Sequence, residues 1–165
     1  MTEIRPARAE EAEDIRSLVR AAYAMYVPRI GRAPSPMTDD YPAQIDAGTV
    51  WVAIDNGELE GVIVLEDTPE ALQVANVAVR PDSQGRGLGR QLLAFADDEA
   101  GRRGYEAVIL YTNVHMTENV ERYPKLGYIE VGRGHEHGFD RVFFRKELAE
   151  ESRSTPDQQH QREST

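Results

Sequence analysis

Leu72-Gln73-Val74-Ala75-Asn76-Val77-Ala78-Val79-Arg80-Pro81-Asp82-Ser83-Gln84-Gly85-Arg86-Gly87-Leu88-Gly89-Arg90 is the stretch on which the fold of this 165-residue chain turns. Leu72 to Val79 is strand-like, and Pro81 closes it. Three glycines follow within five positions. From Gly87 to Arg103, Leu88, Leu92, Phe95, Ala96 and Ala100 share one face of an amphipathic helix that Gly104 stops. Strand, glycine loop and helix in this order make an anion site. Glycine lets the backbone approach a ligand without a Cβ in the way. The first N–H groups of a helix lack intrahelical partners and carry partial positive charge, which suits a phosphate or pyrophosphate. Arg86 and Arg90 add side-chain charge to the same place.

Three kinds of phosphate loop compete for this stretch. A P-loop needs a Lys-Ser/Thr pair after its last glycine, and none follows here. The dinucleotide fingerprint needs a third glycine three residues after the second. Counted from Gly85 and Gly87, that position is Arg90. The pattern Gln/Arg-x-x-Gly-x-Gly/Ala fits, through Gln84, Gly87 and Gly89.

Outward from the loop, the chain alternates between two periods. Ile4 to Arg8 is predicted to be an opening strand. An acidic stretch from Ala9 then leads into Ile15, Leu18, Val19, Ala22 and Tyr26 at helical spacing, a pattern that Pro28 ends. Arg29 to Thr38 reads as a loop, and Asp39 to Ala47 as a short helix stopped by Gly48. Val50 to Ile54 and Glu58 to Leu65 flank Asn56-Gly57, the dipeptide favoured where both turn positions need positive φ, so a hairpin is expected. Ala107 to Tyr111 is an apolar run of the kind found in strands buried on both faces. Thr117 is expected to cap a helix ending near Gly127. Strands near Tyr128 to Gly132 and Arg141 to Arg145 complete the order β-α-α-β-β-β-α-β-α-β-β, an α/β domain with a mixed sheet. From Ala149 to the C-terminus the chain is polar and without aromatic residues, and this tail is expected to be disordered.

Composition narrows the function. A hydrophobic fraction of 40% with 29% charged residues fits a soluble globular protein. No apolar run is long enough for a membrane helix, and no secretory signal is visible, so a cytoplasmic location is expected and a membrane partner is not. Cysteine is absent, which removes disulfides, thiolate metal sites and a cysteine nucleophile. The net charge of −10 argues against a nucleic-acid binder, which needs clustered cations to displace counterions.

The Gln84–Gly89 pattern resembles the acyl-CoA-binding loop of the GNAT superfamily of N-acetyltransferases, and the likeness in element order extends over about residues 2–148. A second stretch, Glu121-Arg122-Tyr123-Pro124-Lys125-Leu126-Gly127-Tyr128, resembles that family's Tyr-x-x-Leu-Gly-Phe/Tyr signature. The resemblance implies an α/β fold with a mostly antiparallel sheet of about seven strands and helices on both faces. It also implies one acyltransferase domain over 1–148, followed by the 149–165 tail. By the same resemblance, Val77, Ala78 and Val79 would pair with the pantetheine arm of acetyl-CoA. Gln84, Gly85, Arg86, Gly87, Leu88, Gly89 and Arg90 would hold its pyrophosphate. Tyr123 would protonate the departing thiolate, a role a phenol of pKa ~10 can fill; packing against the sheet is its structural alternative. The asparagine that family members often carry seven residues before this tyrosine is replaced by Met116. Asn119 is assigned to the cofactor in its stead, with Asn113 as the alternative. Pro124 is expected to kink the last helical turn.

The implied reaction is attack of a neutral amine on the thioester, with a strand N–H near Val79 stabilising the oxyanion. The acceptor would be a primary amine of a small molecule or peptide. A catalytically silent acyl-CoA sensor and a nucleotide-phosphate binder are the rival readings, and a homodimer is open. Tyr26, Met37, Asp39 and Tyr41 lie in the region that borders the acceptor pocket in the resembled fold, or else form a covering helix pair. Asp39, Asp40, Glu66 and His115 are candidate bases. His135-Glu136-His137 reads as a hairpin turn in preference to a metal site, because no third ligand can be named, and no metal is expected.

Overall fold

The computed structural model describes residues 2–149. It contains β1 (Thr2–Pro6), α1 (Ala12–Tyr23), α2 (Val27–Ile30), α3 (Tyr41–Asp46), β2 (Val50–Asp55), β3 (Glu58–Asp67), β4 (Leu72–Val79), α4 (Leu88–Arg102), β5 (Ala107–Asn113), α5 (Thr117–Lys125), β6 (Ile129–Glu136) and β7 (Phe139–Glu147). The seven strands follow the order β1-β2-β3-β4-β5-β7-β6, antiparallel at β1–β2, β2–β3, β5–β7 and β6–β7 and parallel at β4–β5. This is the mixed, mostly antiparallel α/β sheet expected. The chain's described residues divide into two compact units, 2–66 with 75–93 and 67–74 with 94–149. The expected disordered tail lies, from residue 150 on, outside the described residues.

In the first unit, Asn56 (φ 53°) and Gly57 (φ 81°) turn β2 into β3, as the Asn-Gly pair requires. Ile15, Leu18 and Val19 of α1 are fully buried and pack with Tyr41, Val50, Val52, Val62, Val64 and Ala78. Each large apolar side chain so enclosed contributes about 1.5–3 kcal/mol. The helical stretch after residue 9 is more broken than its spacing suggests. A 3-10 turn at Ala9–Glu11 precedes α1, and another at Ala24–Tyr26 follows it. Pro28 does not end the pattern. It sits in the first turn of α2, where its missing N–H would have had no intrahelical partner. Gly31, at φ 87°, stops the helix. The opening strand is Thr2–Pro6 and not Ile4–Arg8. Proline can close it because β1 is an edge strand.

In the second unit, the β4–β5 register runs from Leu72 opposite Val108 to Val74 opposite Leu110. Ala75–Val79, the rest of β4, lie beyond that register and belong to the first unit. Thr117 is the first residue of α5 and not its cap. Met116 takes the capping position with no side-chain bond, and the Thr117 hydroxyl donates to Glu118 instead, at 3.2 Å. The last two strands reach further than the short runs expected. Their turn falls at His137 (φ 51°) and Gly138 (φ 84°), while His135 and Glu136 remain in β6. His135 Nδ1 lies 2.8 Å from Asp140 Oδ1 on the facing strand.

Candidate active site

β4 alternates strictly. Leu72, Val74, Asn76 and Ala78 are buried, whereas Gln73, Ala75, Val77 and Val79 are partly exposed. Val77 and Val79 therefore present side chains on one face, and Ala78 offers only its backbone to a ligand. After Val79 the chain is pinned to β3. The Arg80 N–H donates to the Glu60 carbonyl at 2.8 Å, and the Arg80 guanidinium reaches the Leu59 carbonyl at 3.2 and 3.0 Å. Ser83, 1% exposed, donates its hydroxyl proton to the Glu60 carboxylate. A 3-10 turn at Pro81–Ser83 brings the chain to Gln84, whose side-chain amide returns to the Val79 carbonyl at 3.2 Å.

The loop itself is built on left-handed glycines. Gly85 has φ 88° and Gly87 φ 82°, and a Cβ added at either would meet nothing within 4 Å. What these positions demand is conformation, since L side chains rarely adopt it. Gly89 differs. It lies in α4, and a Cβ there would stand 3.8 Å from Val79 Cγ2, an ordinary contact. The Gln91 N–H donates to the Gly87 carbonyl at 3.0 Å, which closes the first turn of α4. The preceding amides have no intrahelical acceptor by geometry. Leu88 is buried and anchors the helix start, so only its main chain is available there. Arg90 is exposed, and Arg86 lies 3.6 Å from Asp55. Two left-handed glycines, a helix start and two guanidiniums are suited to a polyanion.

Tyr123 is 7% exposed in α5, its ring 5.6 Å from the rings of both Tyr128 and Phe144. Pro124 is accommodated in the last turn of α5. There the ending tightens: the N–H groups of Leu126 and Tyr128 both donate to the Tyr123 carbonyl, at 2.9 and 3.1 Å, and that of Gly127 to Pro124 at 3.2 Å. Gly127 has φ 97°. Asn119 donates weakly to Thr112 Oγ1 (3.4 Å) and to Met116 Sδ (3.7 Å), while the Asn113 side chain accepts the His115 N–H at 2.9 Å in a local turn. Asn113 is thereby engaged in shaping its own loop.

Among the acceptor-side candidates, Tyr26 is 9% exposed, with the Arg29 guanidinium 5.2 Å from its ring centre. Met37 and Asp39 are partly exposed. Burial holds the Asp39 carboxyl above the usual carboxylate range, against the opposing hydrogen bond from Gln44 and the charge of Arg16. Tyr41 has no accessible surface. Its hydroxyl donates to the Pro36 carbonyl at 2.6 Å. A direct contact between Tyr41 and an acceptor has no surface to form on. Of the candidate bases, Asp40 caps α3 by accepting the Ala43 N–H at 3.1 Å, and Glu66 and His115 are exposed. The sequence did not single out Glu60, Ser83 or Asn76. A serine or glutamate near a turn is ordinary, and only an asparagine on the apolar face of a strand carried any signal.

A central strand, a left-handed glycine loop and a helix start together define an α/β cofactor-binding domain. Residues 46–130, just over half of the chain, match the model of the acetyltransferase (GNAT) domain, and the chain belongs to this family. It is 29% identical over 94 residues to the uncharacterized N-acetyltransferase YvbK of Bacillus subtilis, covering 56% of this chain and 61% of that protein. To the mycothiol acetyltransferase of Clavibacter sepedonicus it is 31% identical over 123 residues, 73% of this chain and 40% of the relative. The chain thus spans less than two thirds of these relatives' length. The fold matches that of the PaiA N-acetyltransferase of Thermoplasma acidophilum, solved in complex with coenzyme A, with a TM-score of 0.75 at 18% identity over 90% of this chain and 99% of the other. Among the described residues, no helix is long and apolar enough to cross a membrane.

Proposed function

We propose that the chain is an acyl-CoA N-acyltransferase that moves the acetyl group of acetyl-CoA directly to a primary amine of a small molecule or peptide, with one catalytic domain over 1–148. The observation that carries this reading is the Gly85–Gly87 loop, left-handed at both glycines and running into the start of α4, in a chain of the GNAT family. The coenzyme A complex of the Thermoplasma relative supports the choice of cofactor.

In this reading the pyrophosphate lies against the main chain of Gly85–Gly89, where N–H groups and the helix dipole meet its charge, with Arg86 and Arg90 at its flanks. The pantetheine amides pair with the backbone of Val77–Val79, the part of β4 beyond the β5 register. Asn119 contributes a side-chain amide to the cofactor. The amine attacks the thioester carbonyl, a β4 N–H near Val79 takes up the oxyanion charge, and the Tyr123 hydroxyl returns a proton to the departing sulfur. Tyr26, Met37 and Asp39 border the acceptor, and the raised affinity of Asp39 for protons suits it to accept one from an ammonium. Tyr41 acts from behind them.

Two measurements test the proposal. Acetyl-CoA and CoA should each raise the melting temperature while ATP does not, since a ligand of the folded state alone stabilises it. No shift with either CoA species would refute the cofactor assignment. Release of free thiol in the presence of an amine panel then separates an enzyme from an acyl-CoA sensor, which would bind without turnover.

A further inference from the structure

Asn76 occupies a place where the strand pattern asks for an apolar residue. It shares the buried face of β4 with Leu72, Val74 and Ala78 and is 3% exposed. A side-chain amide left unpaired there would cost as much as a lost hydrogen bond or more. It is not unpaired. Its Nδ2 donates to the Tyr41 hydroxyl at 3.1 Å, and its Oδ1 accepts from the Tyr23 hydroxyl at 2.8 Å. Tyr23 Oη also lies 3.2 Å from the carbonyl of Val77, the next residue of β4. The Tyr41 hydroxyl accepts from Asn76 and spends its single proton on the Pro36 carbonyl at 2.6 Å. The chain of donors thus has one direction, from Asn76 through Tyr41 to Pro36. Its far end is the 3-10 turn Ser35–Thr38, which carries Met37 and leads into Asp39.

Such an arrangement is poor as plain core. Leucine at 76 with phenylalanine at 41 would fill a similar volume and remove the two buried polar side-chain groups, leaving the Pro36 carbonyl and the Tyr23 hydroxyl without those partners. What the polar version adds is direction. It fixes which way the Pro36 carbonyl points relative to the Val77 backbone, and therefore where the 35–39 segment stands with respect to β4. Burial pushes the Tyr41 hydroxyl well above the ordinary phenol range, so it keeps its proton across the working pH.

We infer that Asn76 and Tyr41 are positioning residues for the acceptor, a hydrogen-bonded clamp that sets the Met37–Asp39 segment against the strand assigned to the acyl donor. The inference rests on the acyltransferase reading for its functional meaning, but the clamp itself has a readout that does not.

The test compares three variants of the full chain. Tyr41→Phe removes only the hydroxyl. Asn76→Asp exchanges a donor for an acceptor, so the Tyr41 proton turns to the new carboxylate and leaves Pro36. The third variant combines the two substitutions. Each single change should raise the acceptor KM by roughly three- to tenfold, the loss of one oriented hydrogen bond, with the acetyl-CoA KM within about twofold of the wild type. The double variant should be no worse than Tyr41→Phe, because both changes release the same carbonyl. Amide hydrogen exchange should quicken at 35–39 and stay unchanged at 84–90. A lowered melting temperature with an unchanged acceptor KM would overturn the inference, leaving a merely structural network. If none of the amines makes the wild type release thiol, the acyltransferase reading falls, and the exchange arm still decides the clamp: faster exchange at 35–39 in Tyr41→Phe supports it, and unchanged exchange overturns it.

Discussion

The carboxylate of Glu60, on β3, accepts the hydroxyl proton of Ser83, two residues before the first glycine of the Gly85–Gly89 loop. The same carboxylate lies 3.5 Å from the Arg80 guanidinium. The loop therefore starts from a fixed point on the hairpin. Ser83→Ala should weaken acetyl-CoA binding about fivefold, the worth of one buried hydrogen bond, while amide exchange in β2 and β3 stays normal. Titration calorimetry combined with exchange checks both halves of this expectation.

Gly87 allows steric strain and charge to be told apart. At φ 82°, asparagine is among the best tolerated replacements and aspartate is nearly its isostere. Gly87→Asn should cost acetyl-CoA affinity about fivefold. Gly87→Asp should cost more than about a hundredfold, because a carboxylate then faces the pyrophosphate. Equal losses in the two variants would remove the charge argument and with it the pyrophosphate assignment.

For Tyr123→Phe, turnover should fall by roughly 10² or more with acetyl-CoA affinity unchanged. The phenylalanine ring keeps the packing against Tyr128 and Phe144, so the melting temperature should move little. Unchanged turnover would show that the proton reaches the thiolate by another route.

Stability should depend on pH through Glu11. It accepts two hydrogen bonds from Arg5, at 3.0 and 2.8 Å, and the Arg8 N–H at 2.8 Å. The Arg5 bonds hold its carboxyl below the ordinary 4.5. A depressed folded pKa means that the contribution is complete above the unfolded value and disappears as pH falls through the folded one. Glu11→Gln should cost about 0.5–1 kcal/mol at pH 7, a modest figure because solvent screens the pair. That difference should shrink below about pH 4. Denaturant titrations at pH 7 and pH 3 measure it.

Much of the fold was legible because its signals are local. Asn56-Gly57 specified a hairpin, the spacing of Ile15, Leu18 and Val19 specified the buried face of α1, and the glycines at 85 and 87 specified a loop of left-handed conformation that favours glycine. The ends of elements were harder. Pro28 reads as a stop, yet its meaning depends on whether a turn begins just before it. Thr117 is a good cap by type, but Met116 holds the place because the turn after β5 delivers the chain there. The least legible parts were polar groups satisfied across distance in sequence. Asn76 meets Tyr23 and Tyr41, and Ser83 meets Glu60, through contacts 23 to 53 residues apart, which no periodicity in a single chain encodes.

The tight ending of α5 has a bearing on evolution. Because the Tyr123 carbonyl takes two of the closing N–H bonds, the main chain around this tyrosine is tied down independently of its hydroxyl. A lineage could therefore exchange that side chain without rebuilding the helix that presents it. Proline at 124 removes one donor from the helix, and the N–H groups of Leu126, Gly127 and Tyr128 close the turn after it. The side chain at this position is thus separable from the architecture around it, which makes its replacement a single-residue event.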